Sequence, residues 1–253
     1  DLNSAKRITL DCEAAGFHRY SDRICLVQLS TADATYVIDP LAFDPSDVLR
    51  DVVEDPLREV VMHGADFDLR LLHRDLGLDL HGLFDTQIAA SLLGLETLGL
   101  ASLLGERFGV KLSKKYQRAD WAERPLTEGM LDYAASDTIY LLALRDQLVE
   151  ELTEAGRLAW VEEECRALEQ SATMRKDDAA PRDPVTRVKG ARDLSPRQVT
   201  ALREALSWRD EVARERDKAP FRIVGDGPLI DAVALHPRRA EELTSIKIGR
   251  AHV

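Results

Sequence analysis

Four acidic side chains in three short motifs are the residues of this chain best suited to chemistry. The first motif is Asp11-Cys12-Glu13, the second contains Asp68, and the third ends at Asp137. Hard divalent cations such as Mg²⁺ take several carboxylate oxygens as ligands around one point. Two such cations can clamp the attacking and leaving oxygens of a phosphodiester. The acidic set therefore predicts a metal site that hydrolyses phosphodiesters.

The spacing within the motifs indicates which side chains share a face. Asp11 and Glu13 close an apolar run, and residues two apart on a strand point to the same side. Both carboxylates should therefore face one way, while Cys12 faces the other. Tyr133 and Asp137 are four residues apart in a helical pattern, which places them on one helix face. A phenol beside a metal-binding carboxylate can hold and orient a water molecule.

Each motif taken alone has a simpler interpretation. A D-x-E pair on a strand is more often solvated than metal-binding, and Asp68 alone suits a helix start, where the dipole tolerates an anion. Tyr133 with Asp137 alone suggests a local hydrogen bond. Asp85 is interpreted as a helix cap, and His63 as a core or hydrogen-bonding histidine, since hard metals prefer oxygen ligands. The three acidic motifs in this order are much more specific than any one of them.

Apolar runs and turn residues predict the elements that must position these side chains. Strands are predicted over residues 6–11, 24–30, 35–38 and 60–63, the first two joined as a hairpin. Helices are predicted over residues 66–76, 86–93, 98–108, 127–151 and 157–175. Strands followed by helices predict an α/β fold, with a mixed sheet flanked by helices.

The composition changes near residue 176. Residues 177–192 hold prolines and many charges but few large apolar side chains, which predicts an exposed linker. Ser195-Pro196 then reads as a helix N-cap followed by a first helical residue. We therefore predict a catalytic domain over residues 1–176 and a small all-helical module over residues 193–253.

Charge is distributed unevenly along the 253 residues. Residues 1–186 hold 20 Lys+Arg and 35 Asp+Glu, a net charge of −15, whereas residues 187–253 hold 14 and 10, a net charge of +4. A polyanion could therefore still bind through a local basic patch.

No apolar run approaches the roughly 20 residues that span a bilayer. The three cysteines form no C-x-x-C motif, which disfavours disulfides and zinc and predicts a reducing, cytoplasmic location.

The order D-x-E, then H-G-A-x-x-D-L, then Y-A-A-x-D resembles the ribonuclease D family of 3′→5′ exonucleases, the tyrosine-containing branch of the DEDD exonucleases. Residues 114–126 resemble the stretch that leads into the third motif of that family, and residues 193–253 resemble an HRDC module. The resemblance implies a ribonuclease H-like domain followed by an HRDC domain. We expect this module to be cut short at its C-terminal end and residues 248–253 to be foreign to it.

The resemblance also implies roles for individual residues. Two divalent ions, Mg²⁺ or Mn²⁺, would be held by Asp11, Glu13, Asp68 and Asp137. Tyr133 would position the attacking water. Lys114, Gln117 and Arg124 are weaker candidates for contacts to RNA, with a solvated loop as their alternative. Trp121 is expected to be a packing residue.

The expected activity is a 3′→5′ exoribonuclease that releases nucleoside 5′-monophosphates, with tRNA precursors as the expected RNA. A DNA exonuclease of the same fold is an open alternative, because HRDC modules also occur in DNA helicases. A non-catalytic RNA-binding relative would lack a carboxylate, and all four are present. The sequence indicates no membrane association and no obligate protein partner.

Overall fold

The computed structural model describes residues 2–174 and 183–246 of the chain. They divide into two compact units. The first contains the described residues of Asp1–Ala14 and Arg23–Lys176, and the second contains those of Ala15–Asp22 and Asp177–Val253. The predicted foreign residues 248–253 lie outside the described residues, as do residues 177–182 of the predicted linker. The domain boundaries expected from the sequence stay predictions.

One mixed sheet organises the described part of the first unit. Its strands are β1 (Arg7–Ala14), β2 (Ile24–Ser30), β3 (Thr35–Ile38), β4 (Glu59–Met62) and β5 (Leu83–Asp85). They lie in the order β3-β2-β1-β4-β5. β1 pairs antiparallel with β2, and β2 with β3, whereas β1 with β4 and β4 with β5 are parallel pairs. This sheet, with helices around it, confirms the predicted α/β class.

The parallel pairing of β1 with β4 brings two of the acidic motifs to one edge of the sheet. The carboxyl ends of parallel strands meet at the same edge, where open α/β sheets commonly bind their ligands. β1 carries Asp11 and Glu13 toward that edge, and β4 ends there at Met62. The chain then turns at Gly64, whose φ of 70° lies in the left-handed region that glycine adopts without strain.

Seven α-helices accompany the sheet within residues 2–174, which also contain a short 3-10 helix over Leu2–Ser4. The α-helices are α1 (Ser46–Val53), α2 (Asp66–Leu76), α3 (Thr86–Leu93), α4 (Leu100–Phe108), α5 (Glu128–Ile139), α6 (Leu141–Glu154) and α7 (Leu158–Met174). The predictions over residues 66–76 and 86–93 are confirmed. The prediction of one helix over residues 127–151 is wrong, because α5 and α6 are separate helices that meet at Tyr140. Both halves have helical periodicity, so the pattern alone could not reveal the break.

The core of the first unit forms around β2, which is buried along its whole length. α5 packs across β1, β2 and β3, and α6 packs on β1 and β4. On α6, Leu144, Leu148 and Leu152 recur every four residues and are fully buried. Each such side chain stabilises the fold by about 1.5–3 kcal/mol relative to exposure. The sheet is therefore a rigid support for side chains at its edge.

The regular secondary structure among the described residues of the second unit is helical, as the sequence predicts. Its α-helices are α8 (Pro196–Glu215), α9 (Pro220–Ile223) and α10 (Asp226–Leu235). Ser195 starts α8 with a capping box completed by Gln198, which satisfies two backbone N–H groups. Leu202 of α8 and Leu229 of α10 lie in the core of this unit. Val185, from the predicted linker 177–192, is buried in the same core, so the exposure expected of the linker is wrong at this residue.

The second unit also includes residues 15–22, which connect β1 to β2. The Tyr20 hydroxyl donates a hydrogen bond to the Asp210 carboxylate of α8. Arg222 donates to the carbonyl of Phe17 and lies over its ring, 5.0 Å from the centroid. Polar and cation–π contacts therefore hold this connection within the unit. Among the described residues of both units, no helix combines the length and the apolar character needed to cross a membrane.

Candidate active site

Strand β1 presents two carboxylates on the same face of the sheet. Asp11 lies opposite Gln28 of β2, and Glu13 lies opposite Leu26. The register shifts between Glu13 and Ala14, where β1 is irregular. Cys12 packs against the hydrophobic core, as expected for a side chain on the opposite face. The alternation predicted from the D-x-E motif is therefore present in the structure.

Helix α5 brings the third motif to these carboxylates. Thr127 caps the helix by accepting a hydrogen bond from the backbone N–H of Met130. The hydroxyls of Ser30 on β2 and Thr138 on α5 are 2.7 Å apart, so a buried hydrogen bond ties the helix to the sheet beside Asp137. As a result, one carboxylate oxygen from each of three residues lies within 4.8 Å of the others: Asp11, Glu13 and Asp137.

The fourth acidic residue, Asp68, comes from the first turn of α2 and is buried. Asp68 is not part of the triplet whose oxygens meet within 4.8 Å. It is nevertheless close enough to Asp11 to interact electrostatically. Burial, and then the charge of Asp11, raise the pKa of Asp68 well above its usual value. The four acidic residues thus share one electrostatic environment.

Burial raises the pKa values of these acidic residues, and neighbouring carboxylates raise those of Asp11 and Glu13 further. Burial, followed by the charge of Asp137, raises the pKa of Asp11 to about 7. Burial, followed by the charge of Asp11, raises the pKa of Glu13 to about 9. Burial raises the pKa of Asp137 to about 6. All these donors are oxygens, so the residues fit a hard divalent cation whose charge would replace the bound protons.

Tyr133 lies one helical turn before Asp137 on α5. Burial, and then the charge of Asp137, raise the pKa of its phenol, so the hydroxyl stays protonated and can donate a hydrogen bond. Its ring centroid lies 6.1 Å from that of Tyr116 and 5.9 Å from that of Trp121. Trp121 is buried and holds the Tyr133 ring in place, as its predicted packing role requires.

The weaker candidates for RNA contacts occupy different surroundings. Lys114 and Gln117 are exposed and line an open cleft of about 630 Å³ together with Tyr116. Arg124 instead forms a bidentate ion pair with Asp39, with both N–O distances 2.7 Å. It also donates to the carbonyl of Trp121. An RNA contact from Arg124 stays a prediction, and it would have to replace these bonds.

Asp85 has a larger role than its motif suggested. As predicted, its carboxylate caps α3, accepting from the backbone N–H groups of Gln87 and Ile88. It also accepts from the backbone N–H groups of Gly64 and Ala65, at 2.9 and 2.7 Å. The sequence signal reveals only the local cap, because the second pair of bonds joins segments about twenty residues apart.

His63 follows β4 and takes the hydrogen-bonding role expected of it. Its Nδ1 lies 2.9 Å from the hydroxyl of Thr86, which in turn donates to the carbonyl of Met62. Burial lowers the pKa of His63, which favours the neutral imidazole. A neutral histidine with a hydroxyl partner supports the turn before α2.

Comparison with known proteins places this geometry in a family. A family model described as 3′-5′ exonuclease matches residues 1–153, and an HRDC domain model matches residues 198–253. The crystal structure of Escherichia coli ribonuclease D is similar, with a TM-score of 0.73 and 31% identity, covering 99% of this chain and 66% of that one. The chain belongs to the ribonuclease D family of 3′-5′ exonucleases. Its first unit therefore has the fold of that family, with an HRDC domain after it.

Eukaryotic proteins named RRP6 are also similar to this chain. The catalytic core of RRP6 from Trypanosoma brucei has a TM-score of 0.79 and 33% identity, covering 96% of this chain and 68% of that one. The exosome complex exonuclease RRP6 of Saccharomyces cerevisiae is 34% identical over 263 residues, or 98% of this chain and 36% of the relative. The chain spans between 27% and 36% of the length of the exosome relatives that it matches.

Proposed function

We propose that this protein is a 3′→5′ exoribonuclease that uses two divalent metal ions to release nucleoside 5′-monophosphates. The observation that carries the proposal is the convergence of Asp11, Glu13 and Asp137 within 4.8 Å, with Tyr133 one helical turn away. Carboxylates from a strand and a helix meet there although burial opposes their charge. Such an arrangement is costly unless a cation occupies it.

Each residue has a task in the proposed reaction. The carboxylates of Asp11, Glu13, Asp68 and Asp137 bind the cations. When bound, Mg²⁺ or Mn²⁺ supplies the Lewis acidity that activates the attacking water and stabilises the leaving 3′ oxygen. The neutral phenol of Tyr133 orients that water by hydrogen bonding. Lys114 and Gln117 contact the RNA from the cleft that they line.

RNA is the proposed substrate, and tRNA precursors are its expected form. The Escherichia coli relative is described as an exoribonuclease involved in structured RNA processing, which supports RNA over DNA. The net charge of +4 on residues 187–253 supports a polyanionic partner for the second unit. The three free cysteines support a reducing, cytoplasmic location.

The test uses RNA and DNA of one sequence, labelled at the 5′ end to follow shortening and uniformly to identify the released products, with Mg²⁺ or with EDTA. We expect stepwise shortening from the 3′ end, 5′-mononucleotide products, dependence on Mg²⁺ and a preference for RNA. Asp137→Asn is the matched inactive control. A 3′-phosphate should block the reaction, since the acidic site has little room for extra negative charge. Cleavage of circular RNA would refute the exonuclease assignment. A preference for DNA would instead support the alternative, a DNA exonuclease of the same fold.

A further inference from the structure

Gln28 is the most unusual buried residue beside the acidic site. It lies in the middle of β2, a strand that is otherwise apolar except for Ser30, and its side chain has no solvent exposure. Neither its Nε2 nor its Oε1 has a hydrogen-bond partner among the residues that the structure describes. Most buried side-chain polar groups in proteins are hydrogen-bonded, and an unpaired buried amide destabilises the fold. The position therefore calls for an explanation beyond packing.

The strand register places Gln28 on the acidic face of the sheet. Gln28 is paired directly with Asp11, and directly opposed residues on antiparallel strands point to the same side. Ser30, two residues further on, points the same way and bonds to Thr138 of α5. Gln28 thus lies under the helix that carries Asp137. The intervening residue Leu29 belongs to the hydrophobic core.

The strand pairing also determines to which carboxylate the Gln28 amide can form a hydrogen bond. Opposed side chains in an antiparallel pair have Cβ atoms about 4.5–5.5 Å apart, within reach of an amide. Asp11 is the residue directly opposite, whereas Glu13 lies opposite Leu26, two residues away along each strand. A carboxylate that binds a cation through one oxygen keeps lone pairs for a second partner. Groups that bond to metal ligands in this way commonly fix the orientation of those ligands.

We propose that Gln28 is a positioning residue of the metal site, whose amide donates a hydrogen bond to the Asp11 carboxylate and orients it toward the bound cation. The inference rests on the proposed function, because it assigns Asp11 to the metal. It explains why an amide occupies a buried strand position that a leucine would fill without an unpaired polar group. In the metal-free protein the unpaired amide of Gln28 destabilises the fold, whereas in the metal-bound protein it supports the metal site.

The test compares Gln28→Leu and Gln28→Met with the wild type. Both variants keep the volume of the side chain and remove the amide. We expect an unchanged or higher melting temperature without metal, because the unpaired amide is gone. Mn²⁺ affinity measured by calorimetry should fall about 10- to 100-fold, the usual effect of removing a residue that supports a metal ligand. The kcat on RNA should fall, with KM unchanged.

Val27→Ala is the matched control, because Val27 is fully buried on the same strand but packs in the hydrophobic core. It should lower the melting temperature and leave Mn²⁺ affinity unchanged. If the two Gln28 variants lower the metal-free melting temperature and bind Mn²⁺ like the wild type, the residue is structural and the proposal is overturned. Wild-type Mn²⁺ affinity in either folded variant overturns it as well.

The proposed function can fail separately from this inference. A wild-type protein that binds Mn²⁺ but shortens no RNA would refute the exoribonuclease, while the Mn²⁺ affinities of the Gln28 variants would still decide the role of Gln28. A wild-type protein that binds no Mn²⁺ would overturn both.

Discussion

The Asp85 carboxylate accepts a hydrogen bond from the backbone N–H of Ala65 at 2.7 Å, and so joins the start of α3 to the start of α2. Because α2 carries Asp68, this bond sets where that carboxylate lies. We predict that Asp85→Asn lowers the free energy of unfolding by at least about 2 kcal/mol, since a donor then faces a buried N–H. Urea unfolding measures the loss, and the kcat on RNA should fall with it.

The control for Asp85 is Asp66→Asn, an exposed carboxylate on the same helix that pairs with Arg70. Exposed pairs are worth about 0–1 kcal/mol, so this variant should unfold nearly like the wild type. Equal stability of the Asp85 and Asp66 variants would show that the link between α2 and α3 is unimportant.

Removing one carboxylate of the triplet should separate stability from activity. We predict that Asp11→Asn lowers the rate of RNA hydrolysis at least about a hundredfold, because a metal contributes several kcal/mol to such a transition state. The same variant should melt at a higher temperature than the wild type when EDTA removes metals, since it relieves like-charge repulsion in a buried site. Calorimetric scans and single-turnover rates test both effects. Retention of a tenth of the wild-type rate would contradict the assignment.

Tyr133→Phe should reduce the rate without loosening the site. The ring contacts with Tyr116 and Trp121 remain in this variant, and only the hydroxyl that orients water is removed. Proton-transfer and water-orienting groups contribute about 100-fold or more, so we expect a kcat loss of roughly that size. Mg²⁺ affinity by calorimetry should be unchanged. A loss of metal binding would instead assign the hydroxyl a structural task.

The stability of the metal-free protein should fall as the pH rises. Burial, and then the charge of Asp11, raise the pKa of Glu13 from 4.5 to about 9, and burial raises that of Asp137 from 3.8 to about 6. Between its unfolded and folded pKa, each group binds more protons in the folded state. Its stabilisation is therefore complete below the unfolded pKa and is lost as the pH passes the folded pKa.

Melting temperatures in EDTA between about pH 5 and pH 9 test this dependence, because that window spans the raised pKa values. The gain in melting temperature on adding Mg²⁺ should be larger at the alkaline end, where protons no longer compete with the cation. The Asp11→Asn variant should show a flatter profile. A wild-type melting temperature that rises across the same window would contradict the prediction.

Exposed basic side chains on the second unit should bind long RNA. Arg187, Lys189 and Arg192 are exposed near one cleft of that unit and form no ion pair among the described residues. We predict that the double variant Lys189→Ala with Arg192→Ala weakens binding to a tRNA precursor. Each lost phosphate contact should make the slope of log K against log salt concentration less steep by about 0.7–0.9. Filter binding across a range of salt concentrations measures this slope.

The control for these cations is Arg203→Ala, because Arg203 already pairs with Asp183 in the same unit. Its slope should match that of the wild type. An unchanged slope in the double variant would show that this surface does not bind RNA. Activity on short oligonucleotides should be unaffected by the double variant and by the control, since Lys189, Arg192 and Arg203 all lie in the second unit.

Local sequence patterns predicted those features that depend on a single strand or helix. The D-x-E spacing predicted a shared face for Asp11 and Glu13, because strand alternation is a property of the backbone. Gly77 and Asp85 marked the end of α2 and the start of α3 for equally local reasons, a left-handed residue and a side-chain cap. The family resemblance rested on the same short motifs.

Only the tertiary structure decided what those motifs form together. β5 has three residues, too few to show the alternation of a strand, and neither β5 nor α1 was predicted. The strand order, which brings β4 beside β1, is set by long-range packing that no local pattern encodes. The raised pKa values of the acidic residues and the unpaired amide of Gln28 arise only when sheet and helices bury them together. Sequence determined which groups are available, and tertiary packing determined their distances, because burial and electrostatics depend on neighbours that are remote along the chain.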